Sequence, residues 1–299
     1  MIRASTLNQP LIFVGAPRSG VTLISDIVMH HDEICWLDES FEKHPKSDFQ
    51  HRLFKRKCAF RNKALQDNSF LGSLAREFSP VPSEVMNFWD DYTREEVDFY
   101  RGFARGKHAT PVEISSIREI LSRRIELSGR SRLALRFTGP SRLCYLNSLF
   151  PDAKFVHICR DPASTVHSMI STEEWEYQGK NLLWWRGAYS LQELAQYDRL
   201  RGHAVAGTAF QLNKLIQTTM AEATELDLNM LSVNYEDFVA TPERIVDKIL
   251  DFAELPTNEM IDAALKQREI RCSNKVLKMP ATDVNTVYTW CPGAYNQTT

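Results

Sequence analysis

Two stretches of the chain carry residues suited to holding phosphate groups. The first is Leu11-Ile-Phe-Val-Gly-Ala-Pro-Arg-Ser-Gly-Val-Thr-Leu23, an apolar run entering a turn bounded by Gly15 and Gly20. A helical pattern from Thr22 to His31 follows at once. Backbone amides in such a turn, together with the start of the helix, attract phosphate without needing side-chain charge. The glycine spacing and the hydroxyl of Thr22 match a nucleotide-binding loop, but Val21 fills the slot where a nucleoside triphosphatase needs lysine. Arg18 offers a cation at the crest of the loop instead. For the loop alone, an ordinary strand-turn-helix is the competing explanation.

The second stretch is Phe150-Pro-Asp-Ala-Lys-Phe-Val-His-Ile-Cys-Arg-Asp-Pro-Ala-Ser-Thr-Val-His-Ser168. Its apolar centre reads as a buried strand that delivers Arg160 to its C-terminal end, where open α/β sheets bind ligands. Pro162 suits the first turn of the following helix, Asp161 suits its cap, and Ser168 falls about two turns along. Arginine supplies a planar fork for phosphate, and serine supplies a smaller donor. Alone, Arg160 could equally satisfy carbonyls at a strand end. Taken with the first loop, two separate phosphates on one nucleotide become the better reading.

The elements that must position these residues follow from the apolar pattern. Leu11–Ala16, Lys154–Cys159 and Asn229–Val233 read as buried parallel strands, with Leu133–Thr138 a weaker fourth. Helical patterns fall between and after them at Thr22–His31, Ser141–Leu149, Pro162–Ser171, Leu182–Leu200, Ala204–Ala223 and Pro242–Glu254. The alternation predicts an α/β fold, a doubly wound parallel sheet with helices on both faces, like that of P-loop nucleotide-binding proteins. Residues from about 42 to 129 have little strand pattern and read as a mainly helical insertion or lid. The 299 residues fit one domain, although two small ones would also suit the length.

Composition narrows the function. A formal charge of −2 argues against a general nucleic-acid binder. Six cysteines without a CxxC pair give no zinc spacing and fit a reducing compartment, so a cytoplasmic location is expected. No run reaches the length of a membrane span. Charge is segregated locally: Arg52 to Lys63 holds six basic residues and no acid, whereas Glu84 to Tyr100 holds six acids and five aromatics. Solvated surface is the default explanation for both.

With these residues in hand, the chain resembles the sulfotransferases that use 3′-phosphoadenosine 5′-phosphosulfate (PAPS). The likeness rests on Pro17-Arg-Ser-Gly-Val-Thr22, on Phe150–Ser168, and on Val233-Asn-Tyr-Glu-Asp-Phe238 followed by Thr241-Pro-Glu243. It is nearest in motif to the bacterial, carbohydrate and tyrosylprotein branches. The resemblance implies that Arg18, Ser19, Gly20, Val21, Thr22 and Leu23 contact the 5′ end of the donor. It implies that Arg160 and Ser168 hold the 3′-phosphate, with Tyr235 near the adenine. The desulfated product would be 3′-phosphoadenosine 5′-phosphate (PAP), and no metal is required.

The family's loop usually reads Ser-Gly-Thr-Thr, so Val21 departs from it. The change is mild if that position gives only an amide, and weakens donor binding if the hydroxyl is needed. A late segment from Arg271 to Pro280, including Ser273 and Lys278, resembles one that closes over the donor; solvated lysine is its alternative. Sulfuryl transfer asks a protein for in-line positioning and for stabilisation of spreading negative charge. The resemblance gives Arg18 that work beside the leaving group, with Arg136 a possible second cation or a strand-end structural residue. The acceptor must lose a proton to a base. Glu39 matches the spacing of the tyrosylprotein branch, with a helix cap as its alternative, and His108 is the histidine candidate. The expected acceptor is a small or medium-sized hydroxylated molecule or glycan, with Trp175, Tyr177, Trp184 and Trp185 available to stack on it. A P-loop kinase of small metabolites and a silent nucleotide-binding protein are the rival readings.

Overall fold

The structure is a computed structural model, and it describes residues 7–67, 69–267 and 278–292. Five strands form one parallel sheet: β1 (Leu11–Gly15), β2 (Ile34–Cys35), β3 (Arg132–Thr138), β4 (Lys154–Cys159) and β5 (Met230–Asn234). Their order is β2-β3-β1-β4-β5, so the chain leaves β1 toward one side and later returns to its other side. The crevice beside the carboxyl end of β1 is therefore the place where such a sheet receives a ligand. Every residue of β1 and β4 is buried, Lys154 and His157 included, as expected of strands covered on both faces.

Register fixes what meets at that crevice. Gly15, the last residue of β1, lies beside Thr138 of β3 and beside Ile158 of β4. Two residues past Ile158 the chain reaches Arg160, and one past Thr138 it reaches Gly139, whose amide donates to the Gly15 carbonyl at 3.0 Å.

Residues between β2 and β3 are mainly helical, as expected, with helices Asp48–Gln66 and Pro111–Ser128 the longest. Far from being only a cover, they contribute Phe41, Phe54, Phe88 and Trp89 to the same core as the sheet. Arg124 is wholly buried there, donating to the Trp36 carbonyl and to Asp38, which also pairs with Lys57 at 2.6 Å.

One expectation fails. Leu182–Leu200 is not one helix: short helices Glu173–Gln178 and Leu191–Asp198 flank an irregular stretch. Gly187 adopts φ 92°, in the left-handed region that breaks a helix. Arg186 exchanges backbone hydrogen bonds with Arg101 and Phe103, both at 2.9 Å, and the Gln211 side chain holds Gly179, Leu182 and Trp184. Long-range bonds override the local helical pattern.

Candidate functional site

The loop after β1 is shaped by two glycines with different duties. A Cβ on Gly15 would lie 2.6 Å from the Ile158 carbonyl, so only glycine lets β1 and β4 approach this closely. Gly20 has φ 99° and begins the helix Val21–Val28, and a Cβ there would lie 2.2 Å from the Tyr235 ring. Arg18 also adopts a left-handed conformation, φ 67°, which a non-glycine residue visits at a cost. Ser19 is buried and donates its hydroxyl to the Ala16 carbonyl at 2.7 Å, pinning the turn. No side chain caps the helix at Gly20, so its leading amides stay available to an anion. The Val21 side chain is buried in the core, which means that this position gives the loop its amide alone.

The second stretch closes on the first. Arg18 Nε donates to Ser168 Oγ at 3.0 Å, and Arg160 Nη1 donates to the Arg18 carbonyl at 2.8 Å. The Arg160 guanidinium also stacks 4.7 Å from the centre of the Tyr235 ring. Arg160 Nε is buried and has no partner among the described residues. Asp161 caps the helix Pro162–Ile170 by accepting from Ser164 N at 2.7 Å, and it accepts from the Tyr288 hydroxyl at 2.5 Å. That cap fixes the helix that presents Ser168.

Next to Arg18 opens a cavity of about 210 Å³. Pro17, Arg18, Thr138 and Gly139 line it together with Trp175, Trp184 and Trp185. Met86, Tyr100 and Met169 add apolar surface, with Glu174 at the edge. The wall is held firmly. Trp175 and Trp185 pack 5.1 Å apart, Trp175 Nε1 donates to Thr208 Oγ1 at 2.8 Å, and Arg101 lies 3.9 Å over Trp184. A flat ring fits between such surfaces better than a flexible polar chain.

Residues 10–259 match the family described as the sulfotransferase family. The chain belongs to that family. It is 25% identical over 264 residues to protein-tyrosine sulfotransferase 1 of Danio rerio, covering 88% of this chain and 57% of the relative. A Drosophila melanogaster protein-tyrosine sulfotransferase is 25% identical over 255 residues, covering 85% and 40%. The chain thus spans about half the length of these curated relatives. In three dimensions it is similar to sulfotransferase STF9 from Mycobacterium avium, with a TM-score of 0.53 and 18% identity over 95% of this chain and 76% of that one. STF1 from Mycobacterium tuberculosis gives 0.52 and 14%, with the same coverage. At these identities the likeness concerns the fold.

Within this sulfotransferase fold, the predicted residues divide clearly. Arg18, Ser19, Gly20, Arg160, Ser168 and Tyr235 come together, with Val21, Thr22 and Leu23 opening the helix beside them. Arg136 lies two residues before Thr138 on β3, donating through Nη2 to the Pro82 carbonyl at 2.6 Å, and does not line the cavity. Glu39 is exposed in the first turn of helix Glu39–Lys43, while its neighbour Asp38 is the cap, accepting from Phe41 N at 3.0 Å. His108 is exposed and contacts Cys144 Sγ at 3.5 Å. Neither Glu39 nor His108 is among the residues lining the cavity. Ser273 lies outside the described residues, and Lys278 is exposed. Of the four aromatic candidates, Tyr177 points to solvent and the three tryptophans line the wall.

Sequence reasoning missed Thr138, Gly139, Met86 and Tyr100. The first two were within reach: they end a strand at the sheet's carboxyl edge, followed by a Gly-Pro turn, where ligand contacts concentrate. Among the described residues no three His, Cys, Asp or Glu side chains gather as a metal site would need, and no helix is long and apolar enough to cross a membrane.

Proposed function

We propose that the chain transfers the sulfuryl group of PAPS to the hydroxyl of a small or medium-sized acceptor carrying an aromatic ring, releasing PAP. The observation that carries this reading is the meeting of Arg18, Ser168 and Arg160 at one crevice, from two loops that each can hold a phosphate. The unpartnered Arg160 Nε and the uncapped start of the helix at Gly20 fit an anionic ligand with charge at both ends.

In this reading the amides of residues 20–22 hold the 5′-phosphosulfate, since the Ser19 amide is spent on the Ala16 carbonyl, and Arg160 with Ser168 holds the 3′-phosphate. Arg18 faces both. As the bond between sulfur and the bridging oxygen breaks, negative charge grows on that oxygen, and a fixed guanidinium stabilises it more than it stabilises the bound donor. In this reading the acceptor ring rests against the tryptophan wall, with its hydroxyl in line behind the sulfur. A metabolite kinase is the poorer reading, because the buried Val21 side chain leaves no lysine for β/γ-phosphates. The test is incubation of the full chain with radiolabelled PAPS and a panel of phenols and hydroxylated glycans. Label appearing on phenols supports the reading, and label remaining on the donor throughout refutes it.

A further inference from the structure

The acceptor must give up a proton, and the residues expected to take it do not line the cavity. We infer that Thr138 and Glu84 form a proton relay, with Thr138 touching the acceptor hydroxyl and Glu84 the positioning carboxylate behind it. The inference rests on the sulfuryl-transfer reading and names the proton path of that same site.

Thr138 is the last residue of β3, paired in register with Gly15 and lining the cavity together with Arg18. Its hydroxyl donates to Glu84 Oε1 at 2.9 Å, and its amide donates to Glu84 Oε2 at 3.2 Å. The single hydroxyl proton is thereby committed to the carboxylate. The oxygen's lone pairs are left to accept from another O–H, and the cavity is where one would arrive.

The carboxylate is held without being neutralised. Ser83 N donates to the Leu37 carbonyl at 2.9 Å and Trp89 Nε1 donates to the Glu84 carbonyl at 3.0 Å, fixing the chain on both sides. Val85, the next residue, has φ 47° and ψ 52°, a left-handed conformation that a β-branched side chain resists. The cations facing Glu84 are Arg136 and Arg142, and both spend donors elsewhere: Arg136 on the Pro82 carbonyl, Arg142 on the Pro140 and Phe99 carbonyls. Among the described residues, Glu84 forms no ion pair. Although the residue keeps part of its surface, burial of the carboxyl pushes its pKa up, against the lowering effect of the Thr138 hydrogen bonds. Such a group is a better base than an exposed glutamate.

The step balances as follows. The acceptor's proton passes to Thr138 Oγ1 as the Thr138 proton passes to Glu84 Oε1. The acceptor oxygen forms the new bond to sulfur, and the bond from sulfur to the 5′-phosphate oxygen breaks with its electron pair leaving on PAP. Glu84 returns its proton to solvent after release.

The test uses the full chain, PAPS, and two phenols at mildly alkaline pH: 4-methylphenol, which stays protonated there, and 4-nitrophenol, which is largely ionised there. Glu84→Gln is expected to lower kcat for 4-methylphenol by about 100-fold or more while largely sparing 4-nitrophenol, with PAP affinity and thermal midpoint retained. Thr138→Val should behave alike, and Thr138→Ser should restore the rate. The wild-type rate for 4-methylphenol should fall on acidification at a pH above the ordinary glutamate range, and this inflection should vanish in Glu84→Gln. Equal losses with both phenols, or an unchanged pH profile, would overturn the relay alone. A wild-type chain that transfers to neither phenol would overturn the parent reading and the relay with it.

Discussion

Arg18 and Ser168, 150 positions apart, are joined by a hydrogen bond of 3.0 Å from the guanidinium Nε to the serine hydroxyl. The bond ties the loop after β1 to the helix after β4, so one side chain lies between both candidate phosphate pockets. Arg18→Ala is expected to lower kcat for sulfuryl transfer by about 10²–10³-fold, the usual cost of removing one preorganised charge-stabilising donor. The dissociation constant for PAP should change far less. Arg18→Lys keeps the charge but loses the planar fork, so it should recover only part of the rate. Steady-state kinetics beside calorimetric PAP titration separates the two effects.

Gly20 and Tyr235 make a contact that admits no added atom. Gly20→Ala would set a methyl 2.2 Å from the ring, on backbone that disfavours side chains. The conformational cost alone is about 1–2 kcal/mol. The displaced ring would also withdraw the surface on which Arg160 stacks. Thermal melting should show the stability loss, and PAP titration should show at least a tenfold weakening.

Trp184 lies against Arg101 on one side and the cavity on the other. Trp184→Ala is expected to raise KM for an aromatic acceptor by about tenfold, in keeping with ~1.4 kcal/mol of lost ring contact. PAP affinity should stay unchanged, since the donor pockets lie across Arg18. An equal loss for aromatic and non-aromatic acceptors would argue against ring stacking.

His157 is buried within β4, and burial holds its pKa down to about 4. An unfolded histidine titrates near 6.5, so between these values the unfolded chain binds more protons than the folded one. Stability is complete above the unfolded value and falls as pH drops toward 4. His157 should cost the fold roughly 2 kcal/mol between about pH 7 and about pH 5. His30, pushed to about 3, and His51, pushed to about 4, act in the same direction, burial being the main cause in both. Urea unfolding at the two pH values should show a smaller decline in His157→Leu than in the parent chain.

Much of this site was legible because its parts are local. The apolar run Leu11–Ala16 is short and ends at a turn marked by Gly15 and Gly20, which together read as a covered strand. The same logic leads along β4 to Arg160 and, two helical turns later, to Ser168. Tyr235 followed from resemblance, and its ring lies against Gly20 and Arg160. The Val21 question resolved through packing, which a sequence does not print. Trp184 and Trp185 were read as helical, because the bonds that straighten their segment come from Arg101, Phe103 and Gln211. Glu84 and Thr138 are 54 positions apart, and nothing in either neighbourhood announces the other. Glu39 has the right spacing for a base, yet spacing along a chain does not say whether a residue will line the cavity.

The central claim is that Arg160 reads one phosphate while the loop at Arg18 reads another on the same nucleotide. Calorimetric titration of the chain with PAP and with adenosine 5′-phosphate, repeated on Arg160→Ala, tests it most directly. The account predicts that PAP binds at least tenfold more tightly than adenosine 5′-phosphate, in line with the roughly 1.5–3 kcal/mol of a charged hydrogen bond, and that Arg160→Ala erases the difference. Equal affinities in the parent chain, or a preference for PAP that survives in Arg160→Ala, would contradict it.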